Sequence, residues 1–539
     1  MLTKKLTYAL LFLVCCDSIA AQGSPQDSLL LRDYTFIKQS DPWLNSPNAA
    51  ALTRYGHQNM AQAELSLGGE RGGFTNYCGS DDITRLSAGI ESFYRFNPRT
   101  VFFGSMSYDN VSGRHMAGSA FINPERRPFD LVEDSLTNQG TKHLDTYHLR
   151  AGFGTKVADG LAIGVKADYT AANYAKYKDL RHQNKLMDLQ LSAGLTYTVS
   201  DRFTIGANYL YHRNTESITF GTYGTSDKVY KTLISYANFT GHIEQFGQEG
   251  YTDKSREMPL VTDNNGLGAQ CSIQKGPFSF FASYGYAHGH GYYGRKSPYT
   301  ITYTDHHSDQ HTLAVSLNHA LTTTSSHRLD FAMDIETLQN DANTYREMQN
   351  ASGATYYDYY TPVKTADKQW QDYHLAYILN LGIREALPAW TIEAAMNWMK
   401  RRQTAYVYPY YRRQHLHNTE GSLSVCRNFM ATKGIWSLTL NGSFLKGGGT
   451  PIEDLTFQEP SDKQTVPPSM DAYLYREYQY LTAAQFGIGG SVKYAFVFPA
   501  TRAKTYARLS INHKKANETN IYSNGRRHTT VTATIGCEF

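Results

Sequence analysis

The sequence predicts an all-β protein, a transmembrane antiparallel β-barrel of about 18 strands with a plug-like segment before the first strand. Three observations predict this fold. Segments of nine or more residues alternate apolar and polar side chains, which gives each strand two different faces and enough length to cross a bilayer at a tilt. Tight turns and longer polar connections follow one another along the chain. The chain also ends on an alternating strand, residues 530–539, with a terminal aromatic residue.

Residues 1–21 have the composition of a secretory signal peptide. Lys4 and Lys5 precede an apolar run over residues 10–14, and small residues lead up to Gln22. The apolar run is too short to cross a bilayer as a helix, so we expect cleavage after Ala21 and export of the chain.

Residues 22–57 precede the first strand and form either a plug inside the barrel or a periplasmic tail. Residues 46–52 read SPNAAAL, which resembles the Asn-Pro-Ala-Ala-type entry segment of long-chain-fatty-acid transporter barrels and related shuttle proteins. In those families the segment lies inside the barrel as a hatch, so the resemblance implies a plug. Its residues would include Trp43, Asn45, Pro47 and Asn48.

Residues 58–539 are expected to form the barrel. Eight tight turns alternate with nine outer connections, and this count gives eighteen strands with both chain ends on the periplasmic side; sixteen is the alternative. The longer outer loops are expected at residues 123–143, 213–263, 287–309, 339–369, 446–478 and 515–525. Three tyrosine-dense loop segments are either an interfacial girdle or a docking surface for sugars or peptides: residues 356–360, 406–411 and 473–480.

Charged side chains on the strands are expected to face the lumen. Strand residues of one parity are apolar, such as Leu161, Ile163 and Val165, and a charge facing hydrocarbon there would cost roughly 2–4 kcal/mol. The inward charges form either a salt-bridge lattice that stiffens the barrel or a lining that selects a solute. The predicted lumen-lining residues are Arg85, Glu91, Arg95, Arg150, Lys166, Asp168, Asp188, Asp330, Asp334, Glu393, Arg401, Lys493 and Arg508.

Four histidines form a candidate metal or haem site: His288, His290, His306 and His307. Imidazole suits zinc, copper, iron or haem, and a return strand could bring His306 or His307 opposite the other two. The spacing matches no established metal signature, and histidine-rich loops are commonly only solvated, so the first interpretation includes no cofactor. The Ser, His and Asp residues of the loops form no recognisable catalytic motif, and we expect no enzyme.

The composition restricts the partners. A net charge of +4 and a pI near 8.4 are too mild to indicate nucleic-acid binding. A mean hydropathy of −0.48 suits a barrel, because only every second strand residue faces lipid. The expected partners are outer-membrane lipid, the barrel assembly machinery that reads an ending such as Phe539, and an unidentified small-molecule substrate.

The whole-chain pattern resembles the large, uncharacterised outer-membrane β-barrel families of the Bacteroidota type. A TonB-dependent receptor would need a much larger plug than residues 22–57 provide. We therefore expect a channel or transporter for a small nutrient in the outer membrane of a Gram-negative bacterium. The alternative is a non-transporting barrel that serves as a structural or secretion-linked partner, which the resemblance to shuttle proteins allows.

Overall fold

The computed structural model describes residues 29–133, 138–223, 229–246, 258–431, 433–498 and 503–539. The predicted signal peptide, residues 1–21, and the beginning of the predicted plug lie outside the described residues. None of the helices in the described part of the chain is long and apolar enough to cross a membrane.

The strands form a closed barrel with additional strands inside and above it. In chain order they are β1 (Met60–Arg71), β2 (Asp82–Asn97), β3 (Thr100–Met116), β4 (Asp130–Glu133), β5 (Gly140–Ala158), β6 (Leu161–Lys176), β7 (Arg181–Ser200), β8 (Phe203–Gly221), β9 (Tyr230–Ala237), β10 (Thr240–Phe246), β11 (Met258–Lys275), β12 (Phe278–Ser297), β13 (Thr300–Thr322), β14 (Ser325–Ala342), β15 (Tyr345–Gln349), β16 (Thr355–Tyr359), β17 (Val363–Leu381), β18 (Trp390–Val407), β19 (Tyr410–Ala431), β20 (Gly434–Thr456), β21 (Gln485–Phe498), β22 (Ala503–Ala516) and β23 (Arg527–Glu538).

Eighteen of these strands form the barrel wall, which confirms the predicted fold class and strand number. All of them are antiparallel to their neighbours, and β1 pairs with β23 from Gln62–Glu538 to Arg71–Thr529 to close the ring. Closure leaves the sheet no free edge, so every strand is paired on both sides. Strands β4, β9 and β10 form a separate three-stranded sheet, and β15 pairs with β16 alone.

The two faces of the wall follow the alternation of the sequence. On β6, Ile163 and Val165 are exposed on the outside, whereas Ala162, at 4% exposure, and Gly164 face the filled interior. The outer rim is uneven, because β13 and β20 have 23 residues each, whereas β1 and β23 have 12. About ten residues cross a bilayer, so the longest strands continue well beyond it.

Several predicted loops contain strands or a helix: the expected loops over residues 213–263 and 339–369 include β9, β10, β15 and β16, and the tyrosine-dense segment 356–360 lies almost wholly in β16. Residues 287–309 belong to β12 and β13, which pair from Phe278–His319 up to a tight turn at residues 298–299. A strand that continues above the membrane faces water outside and needs no apolar side, so its polar sequence resembled a loop. Residues 473–480 lie in the helix α2 (Asp471–Thr482) rather than in a loop, with Tyr473 and Leu474 buried on one side.

The remaining elements lie at the start of the described chain. Helix α1 (Tyr34–Ser40) is followed by two 3-10 helices, η1 (Pro42–Asn45) and η2 (Ala49–Arg54). The apolar cores lie inside the wall, around these turns and around β4, β9 and α2.

Candidate functional site

The N-terminal segment, residues 29–57, lies inside the barrel as a series of short helical turns. Asp33, Asp41 and Asn48 each begin one turn, and the side-chain oxygen of each accepts a backbone N–H of that turn. These hydrogen bonds satisfy one backbone donor at the start of each turn, but helical turns this short are not stable alone. The segment therefore depends on the wall for its position.

A row of glycines across neighbouring strands forms the seat of this segment. Gly154 of β5 pairs with Gly164 of β6, which pairs with Gly194 of β7. A Cβ on Gly164 would stand 2.5 Å from the carbonyl carbon of Ala49, and one on Gly194 would stand 2.1 Å from Oδ1 of Asn48. Because Cβ atoms do not approach other atoms so closely, only glycine lets the segment lie against the wall here.

The side chain of Asn48 attaches the segment to the wall. Its Nδ2 lies 2.9 Å from the carbonyl oxygen of Leu195, 3.2 Å from that of Ala207 and 2.9 Å from Oε1 of Gln270. One amide group thus donates to acceptors on β7, β8 and β11. Asn48 is 2% exposed, so the attachment forms away from water, where an unmade hydrogen bond is costly.

Aromatic packing completes the seat. Trp43 is 1% exposed and packs edge-on against Phe281 of β12, with ring centroids 5.1 Å apart. Tyr55 stacks on Phe93 of β2 at 4.8 Å, and Phe93 in turn contacts Phe103 of β3 at 4.9 Å. The segment is therefore held by apolar contacts as well as by hydrogen bonds.

Glu91 of β2 collects the charged contacts of the segment. Its Oε1 accepts hydrogen bonds from the Tyr34 hydroxyl at 2.8 Å and from Lys38 Nζ at 2.7 Å, and its Oε2 accepts one from Arg150 at 2.6 Å. Burial first, and then the Glu91 carboxylate, raises the pKa of Tyr34. The hydroxyl therefore stays protonated and donates to Glu91.

A cavity of about 480 Å³ lies beside this cluster, between the N-terminal segment and strands β1, β2, β3 and β5. Most of the residues that line it have polar side chains, among them Gln62, Glu64, Ser87, Ser105 and Arg150. Its volume is in the range of small-molecule sites, and its polar lining suits a water-soluble occupant.

A second set of elements, the outer cap, spans the lumen on the side of the long connections. It consists of residues 117–133, which include β4, together with β9, β10 and α2. One apolar cluster packs the outer cap against the wall through Phe121, Phe129, Leu131, Ile218, Leu260 and Tyr293. A second cluster joins its parts to one another through Val132, Leu233, Phe239, Tyr473 and Leu474, and also includes Tyr77 of the connection between β1 and β2.

Arg126 of the outer cap binds three carboxylates of the wall. Its Nη1 lies 2.6 Å from Asp334 and 3.2 Å from Glu336, both on β14, and its Nη2 bonds Asp372 of β17. Burial alone would disfavour the charged guanidinium, but the carboxylates outweigh it and raise the pKa of Arg126. The contact is therefore an ion cluster that stays charged.

Further contacts attach the outer cap on other sides of the ring. They join Arg127 to Glu216 of β8 at 2.8 Å, Arg401 of β18 to Glu477 of α2 at 3.0 Å, and Lys142 of β5 to Glu133 of β4 at 2.9 Å. Because β5, β8, β14, β17 and β18 all take part, the outer cap is fixed from side to side of the lumen.

The predicted lumen-lining residues lie on the inner face of the wall. Ion pairs join Arg85 to Glu70, Asp168 to His148, Asp188 to His212, Asp330 to Arg328, Lys493 to Glu538 and Arg508 to Glu64. Lys166 lies over the Phe103 ring at 5.9 Å, and Arg95 and Glu393 share the inner parity of β2 and β18. A lattice of ion pairs therefore accounts for many of these charges, while Glu91 and Arg150 face the cavity.

Two of the four predicted plug residues, Trp43 and Asn48, make the contacts described above. The carbonyl oxygen of Pro47 accepts a hydrogen bond from the Ser192 hydroxyl of β7 at 2.6 Å. Asn45 is exposed, and its side chain makes one long contact of 3.4 Å to the Lys38 carbonyl oxygen. Asn45, one of the four predicted plug residues, therefore contributes little to the seat.

Phe539 lies beside the strand pair that closes the barrel. Its backbone N–H donates to the carbonyl oxygen of Ala61 at 2.9 Å, and the Ala61 N–H donates back at 3.3 Å. Its role as a signal for the assembly machinery stays a prediction.

The four candidate metal-binding histidines lie on two different faces of the wall. His288 and His290 of β12 and His307 of β13 face outward, whereas His306 faces inward and is 3% exposed. His290 and His307 are register partners, and His288 Nδ1 lies 3.0 Å from Asp309. The four side chains therefore do not converge. Within the described ranges, no group of three or more His, Cys, Asp or Glu side chains is arranged to hold a metal ion.

Sequence reasoning missed the outer cap, including Arg126. A signal for it was present, because the expected loop over residues 123–143 contains Phe129, Leu131 and Val132. Such side chains are unfavourable in an exposed loop and indicate that the loop packs against something. All three are buried.

A family model described as "Family of unknown function (DUF6850)" matches residues 49–539. This chain belongs to the DUF6850 family. The match covers every strand of the barrel and begins at Ala49, in the turn seated on the glycine row. It confirms the expectation of an uncharacterised family. No curated protein matches the DUF6850 chain.

Several solved structures are similar to this DUF6850 protein at low identity. The ferric preacinetobactin receptor BauA from Acinetobacter baumannii has 9% identity and a TM-score of 0.40 over 90% of this chain and 80% of the receptor. A FadL homologue from Pseudomonas aeruginosa has 10% identity and a TM-score of 0.32 over 91% of both chains. The toluene transporter TbuX from Ralstonia pickettii has 12% identity and a TM-score of 0.30 over 91% of both chains. Similarity at this level carries no inference about function.

Proposed function

We propose that this DUF6850 protein is an outer-membrane transporter of a Gram-negative bacterium that passes a small, water-soluble nutrient. It rests closed, with the N-terminal segment and the outer cap as two barriers in series. The barrel architecture, the polar inner wall and the cavity of about 480 Å³ support this proposal.

The observation that carries the proposal is the way the two barriers are attached. The sheet of the outer cap is separate from the barrel sheet. The described part of the N-terminal segment makes one isolated β-bridge, between Arg32 and Ala386, and no other strand pairing. Side-chain contacts and packing hold both barriers in place. Either can therefore move without breaking the strand pairing that keeps the barrel closed.

Conductance in planar bilayers tests the proposal with four refolded proteins: the mature chain, a deletion of residues 22–57, Arg126→Ala, and the combination of both changes. Because the barriers are in series, we expect rare or small channel steps from the mature chain and from each single change. The combined protein should give the largest and most frequent steps. Heat-modifiable migration on gels checks that all four barrels are folded.

The alternative, a non-transporting barrel that acts as a structural or secretion-linked partner, predicts a different result. In that case none of the four folded proteins conducts. A combined protein that is folded and silent, and in which hydrogen–deuterium exchange shows that residues 117–133 are released, would therefore overturn the transporter proposal. Fractionation of cells that express the full chain tests the proposed location, because the protein should sediment with the outer membranes.

A further inference from the structure

The outward residues of three neighbouring strands mark the edge of the membrane. On β18 the apolar outward positions run from Trp390 to Trp398, and on β20 they run from Trp436 to Phe444. Each stretch covers eight residue steps, or about 26 Å along the strand and roughly 20 Å after a tilt of about 40°. This is close to the height of the apolar band of outer-membrane barrels, which has aromatic girdles at both edges. Trp398 and Phe444 therefore lie at the outer edge, on the side of the outer cap.

Cationic side chains occupy the next outward positions on the same strands. Lys400 and Arg402 follow Trp398 on β18, and Lys446 follows Phe444 on β20. On β19, which lies between these two strands, Arg413 is the register partner of Thr404, one outward position beyond Arg402. We call Lys400, Arg402, Arg413 and Lys446 the basic patch. His417 and His415 of β19 are the register partners of Lys400 and Arg402 and also face outward.

The basic patch is exposed and lacks charged partners within the part of the chain that the structure describes. All four side chains are exposed, and no ion pair joins any of them to a described carboxylate. Glu453, opposite Arg413 in the ladder, is exposed without forming such a pair. By contrast, the outward cation Arg213 has Asp263 at 3.4 Å.

We propose that the basic patch binds the phosphate-bearing headgroup of a lipid in the outer leaflet. At the height of the patch the surroundings of the wall are headgroups rather than hydrocarbon or bulk water. An anion with several acceptor oxygens stabilises unpaired cations there most strongly. The guanidinium groups of Arg402 and Arg413 can each bind a phosphate with paired hydrogen bonds. The apolar stretch from Trp390 to Trp398 would hold the acyl chains below the bound headgroup.

Native mass spectrometry of the refolded mature chain in a zwitterionic detergent tests this binding. The probe is a bisphosphorylated disaccharide lipid of the lipid A type, and the comparison is the same lipid without its phosphates. Each cation near an anionic lipid contributes roughly fivefold in affinity. We therefore expect the variant with Lys400→Gln, Arg402→Gln, Arg413→Gln and Lys446→Gln to lose more than about a hundredfold in affinity. The dephosphorylated lipid should bind the mature chain as weakly as the intact lipid binds this variant.

The matched control removes four exposed cations from the opposite rim of the barrel: Arg99→Gln, Lys156→Gln, Arg202→Gln and Lys275→Gln. This variant has the same net charge as the patch variant and should bind the phosphorylated lipid like the mature chain. Should the patch variant fail to fold, two double variants replace it, Lys400→Gln with Arg402→Gln and Arg413→Gln with Lys446→Gln. Each double variant should lose about 25-fold.

Three results would overturn the proposal. The first is equal affinity of the patch variant and the control variant for the phosphorylated lipid. The second is equal binding of the phosphorylated and dephosphorylated lipids by the mature chain. The third is a patch variant that keeps its lipid affinity but loses a protein that copurifies with the mature chain, because the patch would then be a protein interface. None of these outcomes depends on whether the barrel conducts.

Discussion

Asn48→Ala should release the N-terminal segment from its seat. The two amide hydrogens of Asn48 serve acceptors on three strands, and its Oδ1 accepts the N–H of Ala50 at 3.0 Å. Two donated hydrogen bonds contribute about 1 kcal/mol each, and the loss of the capping bond costs about 1 kcal/mol more. The sum of about 3 kcal/mol corresponds to a rise of roughly a hundredfold in the ratio of released to seated segment.

Hydrogen–deuterium exchange of the backbone amides of residues 42–55 measures this ratio in the folded barrel. The expected result is a loss of protection of about two orders of magnitude in Asn48→Ala, with unchanged exchange in the strands. The matched control is Asn45→Ala in the same segment, which removes one contact of 3.4 Å from an exposed side chain and should leave protection unchanged. Equal protection in the mature chain and in a folded Asn48→Ala barrel would refute the assignment of Asn48 as the main attachment.

Three further predictions concern the seat, the outer cap and the connection between β1 and β2 that packs against the outer cap. Gly164→Ala should raise the amide exchange of residues 42–55, because the added methyl group would stand 2.5 Å from the carbonyl carbon of Ala49. The control Gly89→Ala should leave this exchange unchanged, because the nearest atom to its methyl group would be 3.5 Å away. Equal exchange in the two variants would contradict the glycine seat. Arg126→Ala should increase amide exchange of residues 117–133 by about tenfold, since the cluster it leaves is partly exposed, while exchange of residues 42–55 stays unchanged. Cys78, in the connection between β1 and β2, is half-buried against the apolar cluster that holds the outer cap together, and desolvation there raises the pKa of its thiol to about 12. Alkylation of this thiol at pH 8 should be roughly a thousandfold slower than that of an ordinary exposed thiol and should still rise tenfold per pH unit near pH 10. An alkylation rate that levels off below pH 10 would show that packing against the outer cap does not desolvate the Cys78 thiol in this way.

The barrel could be predicted from the sequence because its signal is local and repeated. Each strand shows the alternation of Leu161, Ile163 and Val165 over enough residues to cross a bilayer, and turn residues such as Gly160 separate the strands. Above the membrane this signal fails. There the outside of the wall faces water, so His288 and His290 lie on a strand without an apolar alternation, and the expected loop was wrong.

The site was harder to predict because its contacts join residues far apart in the sequence. The SPNAAAL motif identified Asn48 as a residue of interest, but its acceptors Leu195, Ala207 and Gln270 lie on strands that only the closed ring brings together. The glycine row had no sequence signal of its own, since the three glycines have ordinary spacing within separate strands. Arg126 was likewise one charge in an expected loop until β14 and β17 supplied its three carboxylates.

Strand β14 bears on whether the two barriers open together, because it contacts both. Arg328 on this strand donates to the carbonyl oxygen of Gln39 in the N-terminal segment, and Asp334, on the same face six positions further, accepts from Arg126 of the outer cap. A strand paired on both sides in a closed ring is a stiff connection, and the two contacts are about 20 Å apart along it. Sites so far apart without shared partners contribute additively to free energies. The barriers should therefore open independently, and the probability of a continuous path is the product of two small probabilities. If this barrel is a transporter, as we propose, it should leak little at rest, and efficient passage would require a solute that lowers both barriers as it binds between them.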